Sequence, residues 1–230
     1  MTRNSNSVTA PVGRLAPRRL QSWTYVDQVT EVIIADAAMG VIAPGDRINE
    51  LELSRKLGIS RAPIREAIRS LVAQGVIESV AYQGVRLAAL TQERIAEINE
   101  VRLELEKLAL RKLSARPASK QLIAALEDKI EDMRTAVRKQ DRLALVRLDA
   151  DFHEAVVAAA ENVVLLKFWQ ILKPQLIIMF GVMSRGRPMR RTVDEHREIL
   201  RVFASHRWKE IEATLAEHIV SDNLSDKAVK

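Results

Sequence analysis

Apolar positions recur at helical spacing along most of the chain, and the first series begins near Thr24. Val26, Val29, Val32, Ile33 and Ala37 fall on one side of a helix that Gly40 ends. Pro44-Gly45-Asp46 reads as a turn, and Asn49 can cap a short helix from Glu50 to Leu57, ended by Gly58. Ser60 precedes a third helix, where its hydroxyl can accept from an N–H of the first turn. Pro63 sits in that turn, where no intrahelical bond is lost. Ile64, Ile68 and Leu71 follow at i, i+4 and i+7. Beyond Gln74-Gly75 the period drops to two, and 76–80 and 85–88 read as strands of a hairpin about Gly84.

From residue 91 the helical period is unbroken. Six helices are predicted, near 92–113, 119–139, 141–160, 163–184, 189–205 and 207–224. Thr91, Ser119, Asp141 and Asn162 are suited to cap four of them, while Pro117, Pro188 and Ser184-Arg185-Gly186 punctuate the series. The helix after Asn162 is apolar nearly all round, which predicts burial on more than one side, and Pro174 predicts a kink in it. A core helix with an added dimer contact and an apolar pocket wall both fit that pattern. The fold expected is mainly α. A flexible tail (1–21) precedes a helix-turn-helix with a hairpin wing (22–90) and an all-helical bundle (91–230).

Composition narrows the function. The chain has 230 residues and no cysteine, which excludes disulfides and thiolate chemistry and suits a reducing cytoplasm. The longest unbroken apolar run, 176–183, is far short of a membrane span, so no membrane partner is expected. The net charge of +6 is a weak argument for nucleic acid, because the first 26 residues hold four arginines and no acid. Residues 27–90 hold seven basic and eight acidic side chains.

Patterning makes the case that net charge does not. Arg61, Arg65 and Arg69 lie at i, i+4 and i+8 on the third helix, with Ala62 in its first turn. That turn of a recognition helix enters the major groove, where arginine can bond guanine O6 and N7 together. The hairpin tip, Ala81-Tyr82-Gln83-Gly84, is the candidate wing. By spacing alone the three arginines equally suit a solvated face.

The run Gly58-Ile59-Ser60-Arg61-Ala62-Pro63-Ile64-Arg65-Glu66-Ala67-Ile68 resembles the signature of the GntR family of bacterial transcription regulators, whose usual form is G-V-S-R-T-P-V-R-E-A-L. The segment 41–48 is similar to that family's turn before its second helix, and the likeness spans about 24–90. It implies that Arg61 and Arg65 read bases, that Arg69 reaches the backbone and that Ser60 lies near a phosphate. Ala62 stands where threonine is usual, and Gln83 stands before Gly84 where arginine is common.

The four histidines are at 153, 196, 206 and 218, and Asp149 lies one turn before His153. Asp149 and His153, with His196 and His218 from two further helices, would suit a divalent ion such as zinc, nickel or manganese. Buried or surface histidines without an ion fit the spacing too. The run 148–153 resembles the D-x-x-F-H of the FCD ligand-binding domain of FadR-type regulators, as do 195–200 and 217–219 its later histidine motifs. Six helices are closer to the VanR-type branch than to the seven-helix one. The resemblance spans about 92–224. It implies Asp149, His153, His196 and His218 as metal ligands, with Arg102 pairing the carboxylate of a small effector. Arg102 also suits a surface pair with Glu106. His206 matches no ligand position and reads as surface. The function expected is a dimeric, ligand-responsive regulator of double-stranded operator DNA, a repressor by default and not an enzyme. A metal-dependent enzyme, since Asp/His sites can activate water, and an architectural DNA-binding protein whose helical half only dimerises are the rival readings.

Overall fold

The computed structural model describes residues 24–82, 84–115 and 119–221. The expected tail, Gln83 and Pro117 lie outside these. Thr24 opens α1 (Tyr25–Met39) with a reciprocal cap. Asp27 N donates to Thr24 Oγ1 at 3.1 Å, and Thr24 N donates to Asp27 Oδ2 at 3.0 Å. Gly40 ends the helix in the left-handed region (φ 72°). Helices α2 (Glu50–Leu57) and α3 (Arg61–Ala73) follow, with Asn49 capping the first by accepting from Leu51 N and Glu52 N. Strands β2 (Ile77–Val80) and β3 (Gly84–Leu87) form the expected hairpin.

One strand was not expected. β1 (Arg47–Ile48) pairs antiparallel with β3, with Ile48 opposite Val85, and gives a three-stranded sheet of order β1-β3-β2. Two residues are too few for a period, and the partner that defines the strand lies far along the chain.

The six later helices are α4 (Gln92–Ser114), α5 (Lys120–Arg138), α6 (Arg142–Ala159), α7 (Val163–Met183), α8 (Met189–Ala204) and α9 (Trp208–Ser221). The four expected caps all form. Thr91, Ser119, Asp141 and Asn162 accept from Arg94 N, Leu122 N, Ala144 N and Leu165 N. Several connections use non-glycine residues at positive φ, including Gln140 at 55°, Glu161 at 52° and His206 at 55°. His206 is exposed, as its turn position suggested.

Packing does not divide where the sequence texture does. One apolar core joins Ile33 and Ala37 of α1, Ile64 and Leu71 of α3 and the C-terminal half of α7. A second fills the space among α5, α6, α8 and α9 around Phe152 and Phe203. Helices α1 and α7 approach so closely that a Cβ on Gly181 would sit 2.4 Å from the Ala38 carbonyl oxygen. Arg147 of α6 pairs with Glu31 of α1, and Arg94 donates to the Gly75 carbonyl at 2.6 Å and to Gln175 at 3.2 Å.

Helix α7 is long and apolar enough to cross a membrane by length and composition, a property that the eight-residue run concealed. Here Leu176 through Met183 are all buried in the fold. The helix continues through Pro174.

Candidate functional site

Two polar constellations stand out, one exposed and one buried. On α3, Ser60, Arg61, Ala62, Arg65 and Arg69 are all exposed. Ser60 holds the N-cap position, yet its hydroxyl makes no capping bond, contrary to the expectation from its residue type. Solvent can serve the unpaired N–H groups of an exposed helix start. Ser60, Ala62, Arg65 and Arg69 line one groove, which Tyr25 of α1 closes.

The arginines are organised by a residue that the sequence reading missed. Glu50 Oε2 accepts from Arg65 Nε at 2.8 Å and from Arg61 Nη2 at 3.1 Å. The Arg65 hydrogen bond holds the Glu50 carboxyl below its usual range, against the opposing effect of partial burial. Glu50 lies on α2, so only the α2–α3 turn brings it to this face. At the hairpin tip Tyr82 is fully exposed at φ 62°, and Gly84 takes φ 87°. The Arg47 guanidinium lies 3.6 Å from where a Cβ on Gly84 would be. The new strand β1 thus brings a cation under the wing.

The buried constellation lies in the helical bundle. Asp149 and His153 of α6, His196 of α8 and His218 of α9 converge, with one potential ligand atom from each within 4.8 Å of the others. All four are buried. Asp149 Oδ1 is 3.7 Å from His196 Nε2 and 3.9 Å from His153 Nε2. The three imidazole centroids are 5.0–5.3 Å apart.

The surroundings orient the rings as ligands. His196 Nδ1 lies 2.8 Å from the Thr192 carbonyl, which can only accept, so Nδ1 carries the proton and Nε2 presents a lone pair. His153 Nδ1 lies 2.7 Å from Glu106 Oε2, leaving His153 Nε2 buried with no hydrogen-bond partner. Glu195 Oε2 lies 3.7 Å from His218 Nδ1. Burial pushes His153 and His218 well below the ordinary histidine range, and the nearby Arg102 and His196 charges push the same way. Three imidazoles and a carboxylate, with an oxygen near Nδ1 of each ring, are a donor set that a borderline divalent ion fits.

Arg102 lies in the interior. It does form the i, i+4 pair, Nε to Glu106 Oε1 at 2.8 Å, but the pair is buried rather than on the helix surface. Its guanidinium lies 5.0 Å from the centroid of the Phe180 ring. Burial raises the Glu106 carboxyl, and Arg102 opposes that shift. The sequence reading treated Glu106 only as a partner for Arg102. Its contact with His153, 47 residues away, has no signal in local spacing.

A small enclosed cavity of about 30 Å³ adjoins the cluster. Asp149 and His218 form one part of its wall, and Phe180 and Met183 of α7 another. Arg102 stands behind Phe180 and is not a lining residue. The two halves of helix α7 differ in their surroundings. Its C-terminal end walls the cavity, while Val164, Phe168 and Ile171 in its N-terminal half are exposed along one side.

Comparison with known proteins finds the same two units. Residues 25–87 match the family "Bacterial regulatory proteins, gntR family", and residues 97–221 match the FCD domain. A Paenarthrobacter nicotinovorans protein described as "Probable D-xylose utilization operon transcriptional repressor" is 29% identical over 204 residues, 89% of each chain. The gluconate operon transcriptional repressor of Bacillus licheniformis is 29% identical over 148 residues, 64% of this chain and 60% of that protein. Among solved structures, Escherichia coli McbR/YncC superposes with a TM-score of 0.72 at 21% identity, over 86% of this chain and 95% of that one. At that identity the likeness concerns the fold.

Proposed function

The chain belongs to the GntR family of bacterial regulatory proteins and carries an FCD domain, and from that premise we propose that a small carboxylate bound at a divalent metal site controls its operator affinity. The family assignment makes it a DNA-binding transcription regulator and not an enzyme. Repression is the proposed sign, in keeping with the relatives described as repressors.

In this reading Arg61 and Arg65 read base edges, and Arg69 and Ser60 meet the phosphate backbone. Gly84 lets the wing approach a groove, with Gln83 beside it. The observation that carries the regulatory half is the burial of Asp149, His153, His196 and His218 around one point, with Nδ1 of His153 and of His196 within hydrogen-bond distance of oxygens outside the cluster. These four residues would hold the ion, which when bound supplies a Lewis-acid attachment point for a carboxylate oxygen. Arg102 opposes the upward shift that burial imposes on Glu106, and so supports the contact of Glu106 Oε2 with His153 Nδ1 that orients the ring. It contacts an effector directly only if the Phe180 ring turns aside.

Two symmetric heads reading two half-sites require a dimer. Val164, Phe168 and Ile171 on α7 are the face proposed for the partner copy, and Phe168→Glu is expected to shift the protein toward monomer in light scattering. Effector control is a linkage. A ligand changes DNA affinity only by its differential binding to two head arrangements, typically worth about 1–3 kcal/mol.

The test is a thermal-melt panel of small carboxylic acids with and without chelator. At a hundredfold excess over Kd a bound acid stabilises by about 2.7 kcal/mol. A shift that vanishes on chelation supports the metal-bridged effector. Indifference to every acid and to chelator would leave a helical half that only dimerises.

A further inference from the structure

We propose that the effector is a short dicarboxylate, with one acid group at the metal site and the second held by Arg187 and Arg142, which line the same cavity. This rests on the function proposed above and narrows the ligand class within it. The argument starts from charge. Three arginines, Arg142, Arg187 and Arg191, line the cavity against two carboxylates, Asp149 and Glu195. A divalent ion on the Asp149 cluster would add two further positive charges. The wall then carries a surplus of three, of which a monocarboxylate offsets one.

The arginines are also positioned for an acid. Glu195 is the link. Its Oε2 lies 3.7 Å from His218 Nδ1, and its Oε1 lies 3.4 Å from Arg187 Nη2. A single carboxylate therefore spans from a metal-site histidine to Arg187. Arg191 Nε also reaches Glu195 Oε1, at 2.6 Å, so Glu195 keeps a cation partner if Arg187 turns to a ligand. Arg142 Nη1 donates to the Ser184 carbonyl at 2.7 Å. The lining also includes apolar Leu145, Val146, Phe180 and Met183. Two acid groups joined by a short hydrocarbon link match that mixture of surfaces.

Size limits the chain. A cavity of about 30 Å³ holds little more than a water or two as it stands. A diacid enters by displacing arginine side chains that already form the wall, which favours a short backbone over a bulky or aromatic one. Arg187 presents a planar fork suited to bidentate carboxylate binding.

The test is calorimetry on the full-length, zinc-loaded protein at 0.15 M salt, comparing succinate and glutarate with the equally long monoacids butyrate and valerate. The diacids are expected to bind about tenfold tighter or more, the size of one added charge-assisted contact. Arg187→Gln is expected to weaken diacid binding more than monoacid binding and cut that preference to under about threefold, with Arg142→Gln acting in the same direction. Arg190→Gln is the control. It removes the same charge from a highly exposed side chain outside the cavity, and is expected to leave the preference intact. Equal binding of diacids and monoacids would overturn the proposal while sparing the carboxylate reading. A diacid preference that survives both cavity variants would also overturn it. No binding of any acid to the zinc-loaded protein would remove both.

Discussion

The α3 face and the bundle interior use the same residue types in opposite settings. Arg61 and Arg65 are about half exposed, at 52% and 51%, and share the exposed-side acid Glu50. Ion pairs of that kind contribute about 0–1 kcal/mol, so little is lost when the arginines leave Glu50 for DNA. Arg102 and Glu106 are 0% and 2% exposed, beside three buried imidazoles. Such a group costs several kcal/mol per ion to desolvate, and hydrophobic side chains would often serve stability as well or better. The head thus keeps its charges exchangeable, and the bundle keeps its charges fixed. Exchangeable charge suits a partner that comes and goes. Fixed, dehydrated charge suits a ligand chosen by geometry.

The contrast can be broken from either side. The largest effect is expected from Arg65→Ala. Loss of one base-reading arginine costs about 1–3 kcal/mol per half-site, so about 2–6 for a dimer. Anisotropy titrations with a duplex selected from random DNA would record it, with circular dichroism unchanged. Retained sequence preference would make Arg65 a solvated side chain only. Next comes Arg102→Ala, which strands Glu106 in the interior and is expected to destabilise by about 3–5 kcal/mol in denaturant melts. A loss below about 1 kcal/mol would mean that the pair behaves like a surface one. Glu106→Gln keeps the shape but weakens the support of His153, and is expected to lower zinc affinity by about 10–100-fold in chelator competition. Unchanged affinity would detach Glu106 from the site. The smallest effect belongs to Glu50→Gln. Stability should move by less than about 1 kcal/mol, while DNA affinity rises as a negative charge leaves the arginine face. A large stability loss would show that Glu50 is structural.

Local chemistry was legible in the sequence, and long-range contact was not. The caps at Thr91, Ser119, Asp141 and Asn162 depend on a side chain and an N–H three residues on, so residue type and position suffice. The Asp149–His153 pair was visible because one helical turn sets it. Strand β1, the Glu50 clamp and the Glu106–His153 contact depend on chain segments that meet only in the folded protein. The surroundings of α7 were hidden for another reason. Apolar residues on every side record that a helix is covered, but not by what.

Neighbouring residues near the end of α7 face different parts of the molecule. Phe180 walls the cavity, while Gly181 presses on the Ala38 backbone with no room for even a methyl group. Arg185 reaches the same carbonyl at 3.4 Å. In mechanical terms this joint has no backlash. A cushioned contact would absorb the first ångström of movement before passing any on, whereas a hard stop against backbone passes on the first fraction. Under the proposed effector control the same stop would work in reverse, so that a head strained by DNA would push back on the wall of the cavity, and occupancy at either end would become a load on the other.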